Sequence, residues 1–70
     1  MNEAIRDQLI GYFQDELNHW DWESWQSAGA GDKEEVVASA IAELGINVDI
    51  DDAYELFWEW ADGLEEEAFN

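Results

Sequence analysis

Glu16 and His19 stand three residues apart, a spacing that on bundle helices presents a carboxylate and an imidazole to one iron, because residues i and i+3 share a helix face. A complete di-iron site needs a second such motif and further carboxylates. The chain has one His and no Cys, so the missing half would have to come from a symmetric second copy, and His19 reads as a surface or boundary residue. Asn47, Asp49 and Asp51 alternate oxygen ligands as the start of a calcium loop does. Position 52 is Asp where that loop turns on Gly, and Trp58 falls where its bidentate Glu belongs, so the pattern fails. Carboxylate pairs for acid–base work abound, yet such catalysis needs one acid held neutral beside one held charged, usually in a cleft. A chain of 70 residues has too thin a core to build one easily. The GAG of residues 29–31 lacks the Lys-Ser or Lys-Thr sequel of a phosphate loop. We therefore expect no catalytic residues, no metal and no cofactor, and a protein that binds rather than an enzyme.

Charge is the remaining chemistry. Nineteen Asp and Glu oppose two basic residues, Arg6 and Lys33, for a formal net charge of -17. Repulsion on that scale opposes compaction, which points to a partner that selects for it. Solubility and adaptation to high salt, where the repulsion is screened, are the plainer alternatives. With no basic patch, direct contact with nucleic acid or an anionic membrane is disfavoured. A positively charged protein surface is the expected partner. No run of 18 apolar residues offers a membrane span, and the opening MNEAIRDQL lacks the basic and apolar regions of a signal peptide, so a cytoplasmic location is expected.

The elements that position these charges follow from periodicity. Hydrophobic residues make up 47% of the chain and recur with helical period, which argues for folding rather than an acidic disordered tail. Ile5, Leu9, Tyr12, Phe13 and Leu17 form one stripe over residues 3–18. Continuing that helix would place Trp22 and Trp25 opposite the stripe, so the chain is expected to turn near residues 18–21 and restart over 22–27 with Asp21 as N-cap. SAGAG at residues 27–31 reads as a flexible loop. Asp32 and Glu35 form an Asp-type capping box for a helix over 33–44, whose buried line is Val37, Ile41 and Leu44 and whose end is a left-handed Gly45. The INVDI stretch of residues 46–50 is an extended connector with Ile46, Val48 and Ile50 plugging the core. Asp49 or Asp51 then caps a helix over 52–67. The expected fold is all-α, a single acidic domain over residues 1–70 built as a small three- to four-helix bundle. Tyr12, Phe13, Phe57 and Trp20 are its core aromatics, since five Trp, three Phe and two Tyr supply the bulk that a short chain needs.

The last helix carries the strongest signal. Tyr54, Phe57, Ala61, Leu64 and Ala68 make its inner line, and Leu56, Trp58 and Trp60 widen the apolar arc beyond what one buried stripe needs. Its other face holds Asp52, Glu55, Glu59, Asp62 and Glu66, neighbouring acids standing about 4.5 to 6 Å apart along the axis. Like charges at that spacing destabilise an isolated helix, which fits a binding surface. Acids elsewhere, among them Glu3, Asp7, Asp15, Asp21, Glu23, Glu34, Glu35 and Glu43, could raise the density of a face, or of a homodimer, towards the one charge per 1.7 Å of duplex DNA. Trp22, Trp25, Trp58 and Trp60 are either core plugs or exposed anchors for a basic partner, since Trp dominates interface hot spots and Arg packs on aromatic faces.

Short length, extreme acidity, helical build and ranked acids, concentrated in DDAYELFWEWADGLEEEAFN, together resemble the DNA-mimic inhibitors encoded by phages and mobile elements, the anti-restriction and anti-CRISPR proteins. That group is convergent and shares no common motif. The resemblance implies that Asp52, Glu55, Glu59, Asp62 and Glu66 stand in for phosphates, supported by Asp15, Asp21 and Glu23, in the channel of a DNA-binding enzyme or defence complex. The Trp content departs from a pure charge mimic and implies an apolar anchor at Trp22, Trp58 and Trp60, or a dimer interface. The alternative is an acidic adaptor or antitoxin-like protein that holds a basic partner through its Trp-rich surface without imitating DNA. A third reading, a halophilic or merely soluble helper domain, implies little binding to any nucleic-acid enzyme.

Overall fold

The stripe of Ile5, Leu9, Phe13 and Leu17 winds into the first member of an all-α bundle. The computed structural model describes residues 2–69, which run as α1 (Glu3–Glu16), α2 (Trp22–Ser27), α3 (Ala30–Leu44) and α4 (Ile50–Ala61), with 3-10 turns over Leu17–His19 and Glu66–Ala68. Asn2 caps α1 by accepting the Ile5 N–H at 2.9 Å, satisfying one of the unpaired donors of a first turn. The 3-10 turn then tightens the chain and keeps Leu17 buried. Trp20 is extended, and Asp21 caps α2 as anticipated, accepting the Ser24 N–H at 2.7 Å.

Three boundaries depart from the sequence-based expectation. Helix α3 begins at Ala30 rather than 33, with Gly29 as its N-cap residue. Asp32 lies inside the first turn, where its carboxylate accepts the Gly29 N–H at 3.4 Å and faces the positive end of the helix dipole. Much of SAGAG is thus helix. Ile50 does not plug the core: it opens α4 and is 39% exposed, while Ile46 and Val48 pack against the core as expected. Asp49, not Asp51, caps α4 by accepting the Asp51 N–H at 3.3 Å.

Helix α4 stops at Ala61 instead of running to 67. Gly63 is a poor helix former, and Glu65, Glu66 and Glu67 would crowd the negative end of the helix dipole in a longer helix. Leu64 N–H donates to the Ala61 carbonyl at 3.0 Å, the chain turns, and Phe69 comes back against Trp22 and Trp25 with centroids 5.4 and 5.5 Å apart. Ala68, assigned to the inner line, is exposed.

The core consists of Leu9, Phe13, Leu17, Trp25, Val37, Ala40, Ala53, Leu56 and Phe57. Phe57 is its hub. Its ring meets Phe13 edge-on at 5.1 Å and Trp25 at 5.7 Å, geometry worth about 0.5–1.5 kcal/mol per pair beyond the area buried. Fully buried Ala40 and Ala53 leave room for the backbones of α3 and α4 to approach. Gly45, at φ 63°, ends α3 in the left-handed conformation, its N–H donating to the Ile41 carbonyl at 3.1 Å.

Lys33 joins this core. The chain's single lysine is 8% exposed, and its Nζ lies 4.6 Å from the Trp25 ring centroid and 5.2 Å from that of Trp58. A cation held between two indoles gains from both ring quadrupoles, and its stem packs as an apolar chain. The clamp ties α2, α3 and α4 together. Replacing Lys33 with Met keeps the stem and removes the charge, so Lys33→Met is expected to lower stability by about 1 kcal/mol, read as a lower urea midpoint at unchanged m-value.

Candidate binding surface

Every Asp and Glu is exposed except Glu16, which is half-buried. Placement of these acids is decided by how the helices meet. On α4, Asp52, Glu55 and Glu59 form the outward row anticipated from the sequence, and exposed Asp62 follows as the C-cap residue. Glu66 leaves the row, because the helix has ended and Glu66 sits in the second 3-10 turn. The five-acid ridge is therefore four residues long. A cation stands beside it: Arg6 and Leu56 line one shallow groove of about 260 Å³ with Asp52, Glu55 and Glu59.

Glu66 instead meets Asp21, Trp22, Glu23 and Phe69 around an open groove of about 440 Å³. Four of the residues singled out from sequence, Asp21, Trp22, Glu23 and Glu66, thus converge, although about 43 positions separate the two segments (66 against 23). Accepting hydrogen bonds from the backbone and side chain of Ser24 holds the Asp21 carboxyl below the usual carboxylate range, so this cap stays charged. Trp22 is half-buried, its ring against Phe69 at 5.4 Å.

A third groove, of about 320 Å³, runs between α1 and α3. Glu16, Asp32, Glu35 and Glu43 line it with Tyr12, Trp20, Val36 and Ser39, and neither Arg6 nor Lys33 is among its lining residues. Sequence reasoning did not single out this site. Glu35, Ser39 and Glu43 at four-residue steps were the available signal; that α1 sets Glu16 and Tyr12 opposite them required the packing. The Tyr12 hydroxyl donates to the Glu43 carboxylate, and this bond, burial and the negative charge of Glu43 and Glu16 push its pKa up to about 12.

The remaining assignments separate cleanly. Asp15 is exposed on α1 and lines none of the three grooves. Trp25 is core. Trp60 is half-buried and packs on Phe13 at 5.5 Å and Phe57 at 5.8 Å, so it braces the core and leaves Trp58, at 37% exposed, as the most accessible of the three Trp proposed as anchors. Among the described residues no three His, Cys, Asp or Glu side chains converge as metal ligands, and no helix is long and apolar enough to cross a membrane.

The molecule measures 32 × 21 × 19 Å between Cα extremes. All charged side chains lie within the described residues 2–69, so 32 Å divided by 17 net charges gives about 1.9 Å of long axis per negative charge. Duplex DNA carries one charge per about 1.7 Å, both strands counted. No protein-family model, curated protein or solved structure matches this chain.

The Tyr12–Glu43 bond makes a pH signature. A folded-state pKa of about 12, against the 10.0 ordinary for tyrosine, stabilises the fold fully below pH 10, and this contribution is lost as pH rises towards 12. Glu43→Ala is expected to bring the Tyr12 midpoint down towards 10, followed by tyrosinate absorbance in the Tyr54→Phe background, where Tyr12 is the remaining tyrosine.

Proposed function

We propose that this protein is a DNA-mimic inhibitor of the anti-restriction or anti-CRISPR kind, occupying the basic DNA-binding surface of a nucleic-acid enzyme or host-defence complex. The observation that carries this reading is the axial charge density: about 1.9 Å per net charge along a 32 Å body, close to the 1.7 Å of duplex DNA. No chemical step is involved. Carboxylates pair with target Arg and Lys side chains that otherwise hold phosphates, so binding excludes DNA sterically and electrostatically. The groove between α1 and α3 is the face best suited to such pairing, since Arg6 and Lys33 both lie beside α4.

Affinity capture on the immobilised protein from lysate of its source organism, with elution by stepped salt or by competing duplex DNA, tests the reading. A DNA-binding enzyme retained and then displaced by DNA is the expected result. The double charge reversal Glu35→Lys with Glu43→Lys should weaken that retention at least about tenfold, with helical circular dichroism unchanged, because each pair formed with a buried cation is worth more than 1 kcal/mol. A captured protein indifferent to DNA would sink the mimic reading. A second reading, an adaptor holding a basic partner through an apolar anchor, is favoured by the exposure of Trp58 and Ile50, and it predicts that retention survives the reversals and DNA alike.

A further inference from the structure

Ile50, Tyr54 and Trp58 step by four residues along α4 and form one stripe on its α3 side, about 12 Å long at 1.5 Å rise per residue. Ile50 and Trp58 are the two large hydrophobic side chains left exposed among the described residues, at 39% and 37%. Asp51 and Glu55, both exposed, run beside the stripe one residue further round the helix. The stripe is held in place from below: Lys33 Nζ lies 5.2 Å from the Trp58 centroid, Tyr54 meets the same ring edge-on at 5.9 Å, and the Tyr54 hydroxyl donates to the Ala30 carbonyl at 3.4 Å. A large aromatic fixed in this way costs little side-chain entropy on binding.

We infer that this shoulder is a preorganised apolar anchor that docks into an apolar cleft rimmed by Arg and Lys on a protein partner. The inference rests on the reading above that the partner is basic, and it adds to it where the non-ionic contact is made. Charge complementarity chooses the occupant. A second copy would bring its own net charge of -17 and set Asp51 and Glu55 against like charges, which costs affinity; an anionic lipid surface is repelled for the same reason. Helices that present i, i+4, i+8 anchors are taken up by apolar grooves, and flanking acids meet a basic rim.

The test uses two synthetic peptides of equal positive charge: an amphipathic helix of Leu and Arg, and an oligoarginine with no apolar residue. Fluorescence anisotropy gives both dissociation constants, and NMR of the indole N–H groups locates the contact. The amphipathic peptide is expected to bind about tenfold more tightly, a difference of about 1.4 kcal/mol, and to shift the Trp58 indole most. Ile50→Ser, at an exposed first-turn position, should abolish the preference and leave oligoarginine binding unchanged; Trp58→Ala, which uncovers Lys33, serves as the second variant once its circular dichroism matches wild type. If Ile50→Ser keeps the preference, or the peptide shifts Trp22 and not Trp58, the anchor is overturned. Salt-sensitive oligoarginine binding would in that event still uphold the basic-partner reading, whereas failure of both peptides to bind removes the anchor and that reading together.

Discussion

Mutual repulsion among nineteen carboxylates, opposed by two cations, is the constraint around which the rest of this structure is arranged. Apart from half-buried Glu16, every acid is exposed, where water screens it, and the apolar interior is left to a few faces that must do all the holding. Phe57 stands where those faces meet, touching Phe13 from α1, Trp25 from α2 and Trp60 on its own helix. Aromatic rings suit this task because each removes a large area from water per residue ordered. The same logic sets the helix ends. Acids stand in the first turn of all four α-helices, where the dipole favours them, and α4 gives way to turns before the Glu65–Glu67 run can stack upon its negative end.

The two basic residues occupy different surroundings. Arg6 lies in the groove beside the α4 acids, and Lys33 sits under Trp58 and against Trp25. Lys33 is more than a counter-charge. A buried cation is costly without compensation, and here two ring faces supply it while the long stem fills the seam between α2, α3 and α4.

This distribution leaves the two sides of the molecule unequal in charge. The α4 side, with both cations close by, is the better-compensated surface and carries the exposed apolar shoulder. The α1–α3 groove and the groove formed by α2 with the C-terminal turn carry acids without an Arg or Lys in their linings. The surface thus shows carboxylates with no Arg or Lys beside them over part of the molecule and a fixed aromatic edge elsewhere, features that the proposed basic partner would use for steered association and for a specific hold.

Much of the fold was legible in the sequence, because periodicity and capping are local: the α1 stripe, the restart at Asp21 and the left-handed Gly45 each depend on residues within a turn or two. So was the all-α class, and so was the exposure of the acids along α4. What the sequence left open lies in contacts between distant segments. Lys33 entered the core because Trp25 and Trp58 from two other helices offered it ring faces, which no local pattern announces. Ala40 and Ala53 are fully buried although neither belonged to the apolar lines read from periodicity, and Glu66 left its ridge because Gly63 and the acids after it let the chain fold Phe69 back onto Trp22. Composition alone determined that this protein must carry a dense negative field. Tertiary packing decided which carboxylates stand together, which lie near a cation and which tryptophan remains open, because those depend on distances through space between residues far apart along the chain.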